Sequence, residues 1–555
     1  MRRIGLLVIL LLFSCQLSAG EEPIKPIRFP MSFSGTYGEL RHDHFHSGVD
    51  WITGGKVGES VYAIKSGYIS KITVSTRGYG RAIFITHPDN TISVYGHLLC
   101  FTKNIEELVK EKQYKEKSFS VTIIPQKEEL SVSKGEMIAK SGNSGSSGGP
   151  HLHLEVRDEK SGIPINYISR GYYSVKDNLS PVFHEINFYS FSNSAVIPVT
   201  GLIKRLSWPT QNNILIYLPQ KSYVGIDAFD RQEGTRAKLA VEEYKVYLDN
   251  ELIFGFKIND IPNSYGRYIK SLIEYEESYI GGADVIKTYV EPGNALSSLI
   301  QSKNNGIIVL NDYNEHKVGI EVIDEHGNKS VLNYRVKRKD IGNAEHIAGT
   351  PVLWYLPGIF INKEVSFAMP AASLYRSIFF IEEKVSGPDK AKNIYSPMWK
   401  FGDIKVPLHE NAYLKFFTEI PERLKKKTLI ARYNGEKLIP VHGSGWDSNG
   451  VVAKVGFGTY CVAVDTIAPT IKFYFKSGAR IDRDGVFKIE IKDDFSGVQY
   501  TDVEVDGKWV LFEPKNGMIV VRLDRERVKK GKNKIKVTVR DYCGNESVST
   551  INFIW

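Results

Sequence analysis

The chain has 555 residues, 42% hydrophobic, 24% charged and 12% aromatic. That is ordinary globular composition, and it excludes a disordered, collagen-like or multi-span membrane chain. At one domain per ~150 residues, three to four domains are expected. Four cysteines exclude a disulfide scaffold. The 30 Tyr and 27 Phe against six Met lean toward strands. The formal charge of +9 is a mild excess, suited to an anionic polymer but too diffuse for nucleic acid.

Residues 1–20 read as a secretory signal: Met1-Arg2-Arg3, an apolar run from Ile4 to Phe13, then small residues around Ala19 and Gly20. The run is too short to span a bilayer, which takes ~20 apolar residues. Cleavage after Ala19 or Gly20 would release a soluble protein, and loss of Arg2 and Arg3 lowers the charge from +9 to +7. Leu12-Phe13-Ser14-Cys15 also loosely resembles a lipobox, so membrane attachment is expected only if Cys15 is acylated. Periplasm or cell envelope is the expected location in either case. Cys461 and Cys543, both near the C-terminal module, either pair or stay as buried thiols.

Residues 27–172 read as short strands with glycine-rich turns. Val61–Ile64, Tyr68–Ile72, Arg81–Ile85 and Thr91–Tyr95 are rich in β-branched and aromatic residues. Ile105, Leu108 and Val109, spaced i, i+3, i+4, mark a short amphipathic helix. Its Glu106/Lys110 and Glu111/Lys115 pairs read as a solvated face. The helical segment after Leu98, reaching about Glu129, would either wall a groove or decorate an edge.

The remainder contains a repeat. Asp177-Asn-Leu-Ser-Pro181 matches Asp465-Thr-Ile-Ala-Pro469, and Val246–Asn250 matches Val503–Gly507. Asp324-Glu-His-Gly-Asn328 matches Asp541-Tyr-Cys-Gly-Asn545. Each copy passes an Asp-Asn or Asp-Gly hairpin and ends in alternating apolar residues, the pattern of an immunoglobulin-like sandwich. Asp177 and Asp324 stand 147 positions apart, Asp465 and Asp541 only 76, a difference of 71 that places an insertion around residues 255–310. The expected modules are thus 27–172, a sandwich with insertion at 177–340, a strand-rich β module at 345–464 and a C-terminal sandwich at 465–555. The 345–464 stretch carries a hairpin, Leu429–Tyr433 and Leu438–His442 about Asn434-Gly435, and no chemical constellation.

Histidine is the unevenly spread residue. Seven of the 13 lie between His42 and His153. His46-Ser-Gly-Val-Asp50 sets an imidazole four residues before a carboxylate, Tyr95-Gly-His97-Leu98 follows, and Gly148-Gly-Pro-His151-Leu-His153 closes the set. On a strand, His151 and His153 point to one side. Two histidines and one aspartate suit zinc, and three protein ligands leave a fourth position for water, the catalytic rather than structural pattern. Two further histidines nearby would move a proton and stabilise an oxyanion. His42 and His44 alternate with His46 and are weighed as weak-metal positions; His87 reads as a surface turn. Arg81 reads as a solvated arginine, with contact to substrate carboxylates as the alternative.

His46 to Asp50, Tyr95–Leu98 and Gly145–Glu155, with Gly78-Tyr79-Gly80 and Gly135–Ile138 in support, resemble the LytM/lysostaphin-type zinc endopeptidases. The resemblance covers about residues 30–170. It implies a small antiparallel β core with an open groove and hydrolysis of peptide bonds in peptidoglycan. It implies zinc ligands at His46, Asp50 and His153, with His97 and His151 beside the metal as catalytic groups. It selects His46 over His42 and His44, because only His46 precedes Gly48-Val49-Asp50.

The expectation is therefore a mainly β protein: a small antiparallel metallopeptidase core followed by immunoglobulin-like modules. It would be an exported zinc-dependent endopeptidase acting on peptidoglycan, with an envelope protein as a further partner of the modules. The second reading is a catalytically silent binding or activator module on an envelope scaffold. A third, an adhesin-like surface protein, rests on the repeated sandwiches alone.

Overall fold

A computed structural model describes residues 21–41, 43–127, 129–194, 197–340, 348–387 and 393–555. Residues 1–20, with Cys15, and His42 lie outside the described residues, and so do the expectations placed on them. Among the described residues no helix is long and apolar enough to cross a membrane.

The protein is mainly β. Its first unit is built on a nine-stranded antiparallel sheet, ordered Phe33–Gly35, Val49–Ile52, His151–Asp158, Thr91–Gly96, Arg81–Thr86, Gly67–Val74 and Val121–Ile123, with two short strands beside this path. A second, three-stranded sheet of Ser60–Tyr62, Met137–Lys140 and Cys100–Phe101 packs with it. The central strands are buried on both faces, which explains their nearly continuous apolar runs. Leu152 and Leu154 are fully buried on the face opposite the histidines. The register sets His153 opposite Asp50 on one side and Gly96 on the other. Residues distant in sequence therefore meet at one point of the sheet.

Two pairs of sheets follow the repeat. Residues Leu215–Leu218, Lys329–Arg338, Glu315–Ile323, Glu243–Leu248 and Glu251–Lys257 lie side by side in one sheet, with Ile300–Ser302 at its edge. Ala479–Arg480, Glu546–Ile554, Lys532–Asp541, Val498–Val505 and Lys508–Trp509 lie in the same order near the C-terminus. In both sheets the first strand runs parallel to its neighbour and the other pairings are antiparallel. The matched hairpins turn in the left-handed region, at Asp249-Asn250 (φ 50° and 70°) and Asp506-Gly507 (φ 48° and 75°). That double positive φ is why Asp, Asn and Gly stand there. The extra length of the first copy lies between Lys257 and Glu315, as short helices and edge strands. The intervening unit has two five-stranded sheets and includes the expected hairpin, Thr428–Tyr433 against Leu438–Pro440.

Four sequence expectations are corrected. The helix spans Lys103–Glu116, not to Glu129, and ends on Lys117 in the left-handed region. Its charged face is not simply solvated: Lys110 Nζ pairs with Asp524 at 2.7 Å. Tyr114 meets Trp509 edge-on at 5.3 Å, and the Arg527 guanidinium lies 3.9 Å over the Tyr114 ring. The C-terminal sandwich thus returns to the first unit and docks on this helix. Arg81 is not a solvated arginine either, since it pairs with Glu106 of the helix and lies 4.7 Å over the Phe101 ring. His87, expected at the surface, is 3% exposed. Its ring nitrogens bond the Ser66 carbonyl at 2.9 Å and Ser93 Oγ at 2.8 Å, so the turn is folded inward over a satisfied imidazole. Cys461 and Cys543 are buried free thiols that share one apolar cluster.

The first unit and the first sandwich share a continuous apolar core that includes Phe33, Tyr37, Leu239 and Ile258. Hydrogen bonds cross the seam from Ala240 N to Thr36 Oγ1 (2.9 Å), from Phe33 N to Gln232 Oε1 (3.1 Å) and from Ile261 N to Tyr37 OH (2.8 Å). A buried seam of this kind ties the sandwich to the strand and loop that deliver His46.

Candidate metal centre

The five residues singled out by the histidine pattern converge. His46 arrives on a loop closed by Gly38 N to His46 O and His46 N to Glu39 O, both 2.8 Å. Asp50 lies in the next strand, and His151 and His153 project from the strand paired with it. His97 follows strand Thr91–Gly96 and sits in the left-handed region, φ 57°. This turns its ring back over the sheet, 4.9 Å from His151 and 5.6 Å from His153 between ring centroids.

His46 Nε2, Asp50 Oδ1 and His153 Nδ1 form a triangle. The edges are 3.1 Å from His46 to Asp50, 3.1 Å from His46 to His153, and 2.9 Å from His153 to Asp50. This is close to the roughly 3.4 Å edge of a tetrahedron with ligands about 2.1 Å from zinc. The opposite ring nitrogens are committed elsewhere. His46 Nδ1 donates to the Thr36 carbonyl at 2.8 Å, and His153 Nε2 donates to Glu155 Oε1 at 2.9 Å. Each bond fixes the tautomer that aims a lone pair at the centre, the outer-partner pattern of metal-ligating histidine. The donor set and the outer partners therefore fit zinc. Asp50 is steadied by Arg41, whose guanidinium contacts Oδ2 at 3.2 Å and leaves Oδ1 toward the histidines. His44 is exposed and bonds Asp43 at 2.7 Å, outside this group.

His151 Nδ1 faces the Gly149 carbonyl at 2.8 Å, leaving Nε2 3.4 Å from Asp50 Oδ1. His97 Nδ1 faces the Ser144 carbonyl at 2.8 Å. Burial, reinforced by the neighbouring histidines, pushes His97 down to about 4, so it is neutral at physiological pH. Burial also opposes the charge on Asp50, but His46 and the bonds from His151 and His153 outweigh it and hold Asp50 well below the carboxylate range.

Sequence reading assigned no role to Glu155, which is fully buried beneath the centre. Its Oε1 accepts from His153, from Ser47 Oγ at 2.5 Å and from Tyr79 OH at 2.5 Å; its Oε2 accepts from Arg157 Nε at 2.6 Å. Burial alone would raise it, but the His153 bond and the Arg157 charge hold it at about 2. The signal was available, since His151, His153 and Glu155 alternate on one strand face. Thr36 and Ser144 gave no such signal, because they act through backbone carbonyls.

Three glycines permit this packing. Gly80 and Gly145 both have positive φ, 65° and 72°, and a Cβ on either would meet the other's loop backbone at 2.5 Å or less. A Cβ on Gly48 would lie 2.5 Å from the Leu154 carbonyl and 3.0 Å from His153 Cε1. Gly48→Ala is expected to part the two ligand-bearing strands, costing about 1–3 kcal/mol by overpacking. Zinc affinity should fall in parallel; thermal denaturation and a competitive chelator titration measure the two.

Residues 44–114 match Peptidase family M23, and residues 352–465 match the Zu5-like domain. A stretch of 110 residues is 34% identical to an uncharacterized metalloprotease of Haemophilus influenzae, covering 20% of this chain and 18% of that protein. The chain thus spans under a fifth of the length of that curated relative. Among solved structures, the catalytic domain of lysostaphin from Staphylococcus simulans is similar at 25% identity over 23% of this chain and 79% of its own, TM-score 0.17. The catalytic domain of the prophage-encoded M23 protein EnpA from Enterococcus faecalis is similar at 24% identity over 25% of this chain and 88% of its own, TM-score 0.19.

Proposed function

We propose that the M23-type, lysostaphin-like unit of this chain is a zinc endopeptidase that hydrolyses peptide bonds in peptidoglycan. The observation that carries the reading is the triangle of His46, Asp50 and His153 donor atoms with both histidine tautomers fixed from behind. These three residues would hold zinc. Bound there, zinc supplies Lewis acidity toward a carbonyl and lowers the pKa of water.

The chain's own groups account for the rest. His151, with Nε2 turned toward the centre, holds or passes a proton and stabilises negative charge on the scissile carbonyl oxygen. His97, kept neutral by burial, accepts or relays that proton. Arg41 and Glu155 keep the ligands in place and touch no substrate in this scheme. Retention of all five side chains at contact distance favours an enzyme over a silent binding module. Export to the envelope and recruitment of a partner by the β modules belong to the same proposal.

The test is purified full-length protein with cross-linked muropeptides. Peptide-bond cleavage that disappears on zinc removal and returns with added zinc is expected. Stoichiometric zinc without cleavage of any cross-linked wall would sink the enzymatic reading.

A further inference from the structure

At the seam between the M23-type unit and the first sandwich lies a small cavity, about 20 Å³ as measured for the centre of a water-sized sphere, which is room for a single water or ion. Phe33, Thr36 and Tyr37 form one wall, and the other carries Asp177, Asp230, Glu242, Glu325 and His326. Ligand atoms of Asp177, Asp324 and His326 lie within 4.8 Å of one another. No lysine or arginine lines the cavity among the described residues. We propose that this cavity holds a structural divalent cation, Ca2+, bound by carboxylate oxygens and locking the sandwich to the unit that carries the zinc ligands. The proposal does not rest on the enzymatic reading.

The deciding group is Asp230. It is 5% exposed, and its Oδ1 is out of reach of water with no hydrogen-bond partner. A buried carboxylate oxygen without a donor is costly unless a cation meets it. Its neighbours aggravate the cost. Burial, and repulsion from Asp324 and Asp177, push Asp230 up to about 7. Burial and the same cluster push Glu325 up to about 8. Oxygen donors in this number suit a hard cation such as Ca2+ rather than a thiophilic metal.

The repeat provides an internal comparison. By place in the repeat, Asp465, Asp493 and Asp541 are the counterparts of Asp177, Asp230 and Asp324, and in the C-terminal sandwich ligand atoms of all three lie within 4.8 Å of one another. There Asp493, the counterpart of Asp230 at the end of its strand, is only half-buried. Its Oδ2 accepts from the Phe495 and Gly497 amides at 3.1 and 2.7 Å. In the first copy the amides of His326, Asn328 and Leu179 likewise meet Asp324 and Asp177, but Asp230 Oδ1, covered by the neighbouring unit, has no donor. The cavity also adjoins Thr36, whose carbonyl holds His46.

The experiment uses full-length, zinc-replete protein freed of calcium, titrated with Ca2+ by calorimetry and followed by thermal denaturation. Uptake of about one equivalent is expected, with a rise in midpoint of roughly 5 °C at a hundredfold excess over Kd. Asp230→Asn should weaken uptake at least tenfold while leaving calcium-free protein no less stable than wild type, since it removes a buried charge. Glu325→Gln, at a less buried position, is the second variant and should weaken uptake in the same direction. Asp493→Asn should retain the full equivalent. No uptake by wild type at millimolar Ca2+ would overturn the proposal and leave the cluster neutralised by protons. Uptake unchanged in both Asp230→Asn and Glu325→Gln, or abolished by Asp493→Asn, would place the ion elsewhere and overturn it equally.

Discussion

His46→Ala is expected to abolish both stoichiometric zinc and wall hydrolysis, whereas His151→Ala is expected to keep zinc and lose rate. The difference follows from where each ring nitrogen goes. His46 Nε2 lies 3.1 Å from both other donor atoms, so its loss leaves two ligands where a three-point site stood. Metal affinity should then fall well beyond the roughly 10–100-fold typical of losing an outer partner. His151 Nε2 stands farther off, 3.4 Å from Asp50 Oδ1, and its ring is held by the Gly149 carbonyl rather than by the triangle. Its removal should leave zinc content near wild type and lower kcat by about 10²–10⁴-fold, the range for a positioned proton-transfer group. Elemental analysis alongside muropeptide turnover separates the two. Equal zinc loss in both variants would make His151 a ligand and refute the assignment.

The second large effect is expected at Glu155, although it touches no substrate in the proposed scheme. Both of its oxygens are saturated with donors, and Arg157 lies against one of them. In Glu155→Gln the new amide N–H group must face either Arg157 or the cluster of His153, Ser47 and Tyr79, all of which donate there. Breaking a buried charge pair from one side costs about 3–5 kcal/mol. The variant should also bind zinc about 10–100-fold more weakly, because the Nε2–H bond that fixes the His153 tautomer is disturbed. Denaturant unfolding with and without zinc reads both effects. A variant as stable as wild type, with unchanged zinc affinity, would show that Arg157 and His153 find other partners.

Much of this could be read from the chain. The i, i+2 alternation of His151 and His153 and the four-residue step from His46 to Asp50 are local patterns, and strand geometry turns them into a shared face. The repeated Asp-Asn and Asp-Gly hairpins were legible because only certain residues tolerate successive positive φ. Arg81, His87 and the charged face of helix Lys103–Glu116 were misread for one common reason. Each looks like a surface group locally, and each is buried or paired by an element far along the chain: Glu106 for Arg81, Ser66 for His87, Asp524 for Lys110.

By itself the sequence determined the strand-rich class and the repeat, because propensity, turn chemistry and side-chain period act over a few residues, and its motif resemblance picked out the residues that gather at the centre. Only the tertiary structure decided which nitrogen of each histidine faces inward, that Glu155 underlies the site, and that the C-terminal sandwich docks on the helix of the first unit. It alone left Asp230 Oδ1 buried without a donor. These depend on contacts between segments tens to hundreds of residues apart, and burial, which sets the energetic cost of a charge, exists only once those segments have met.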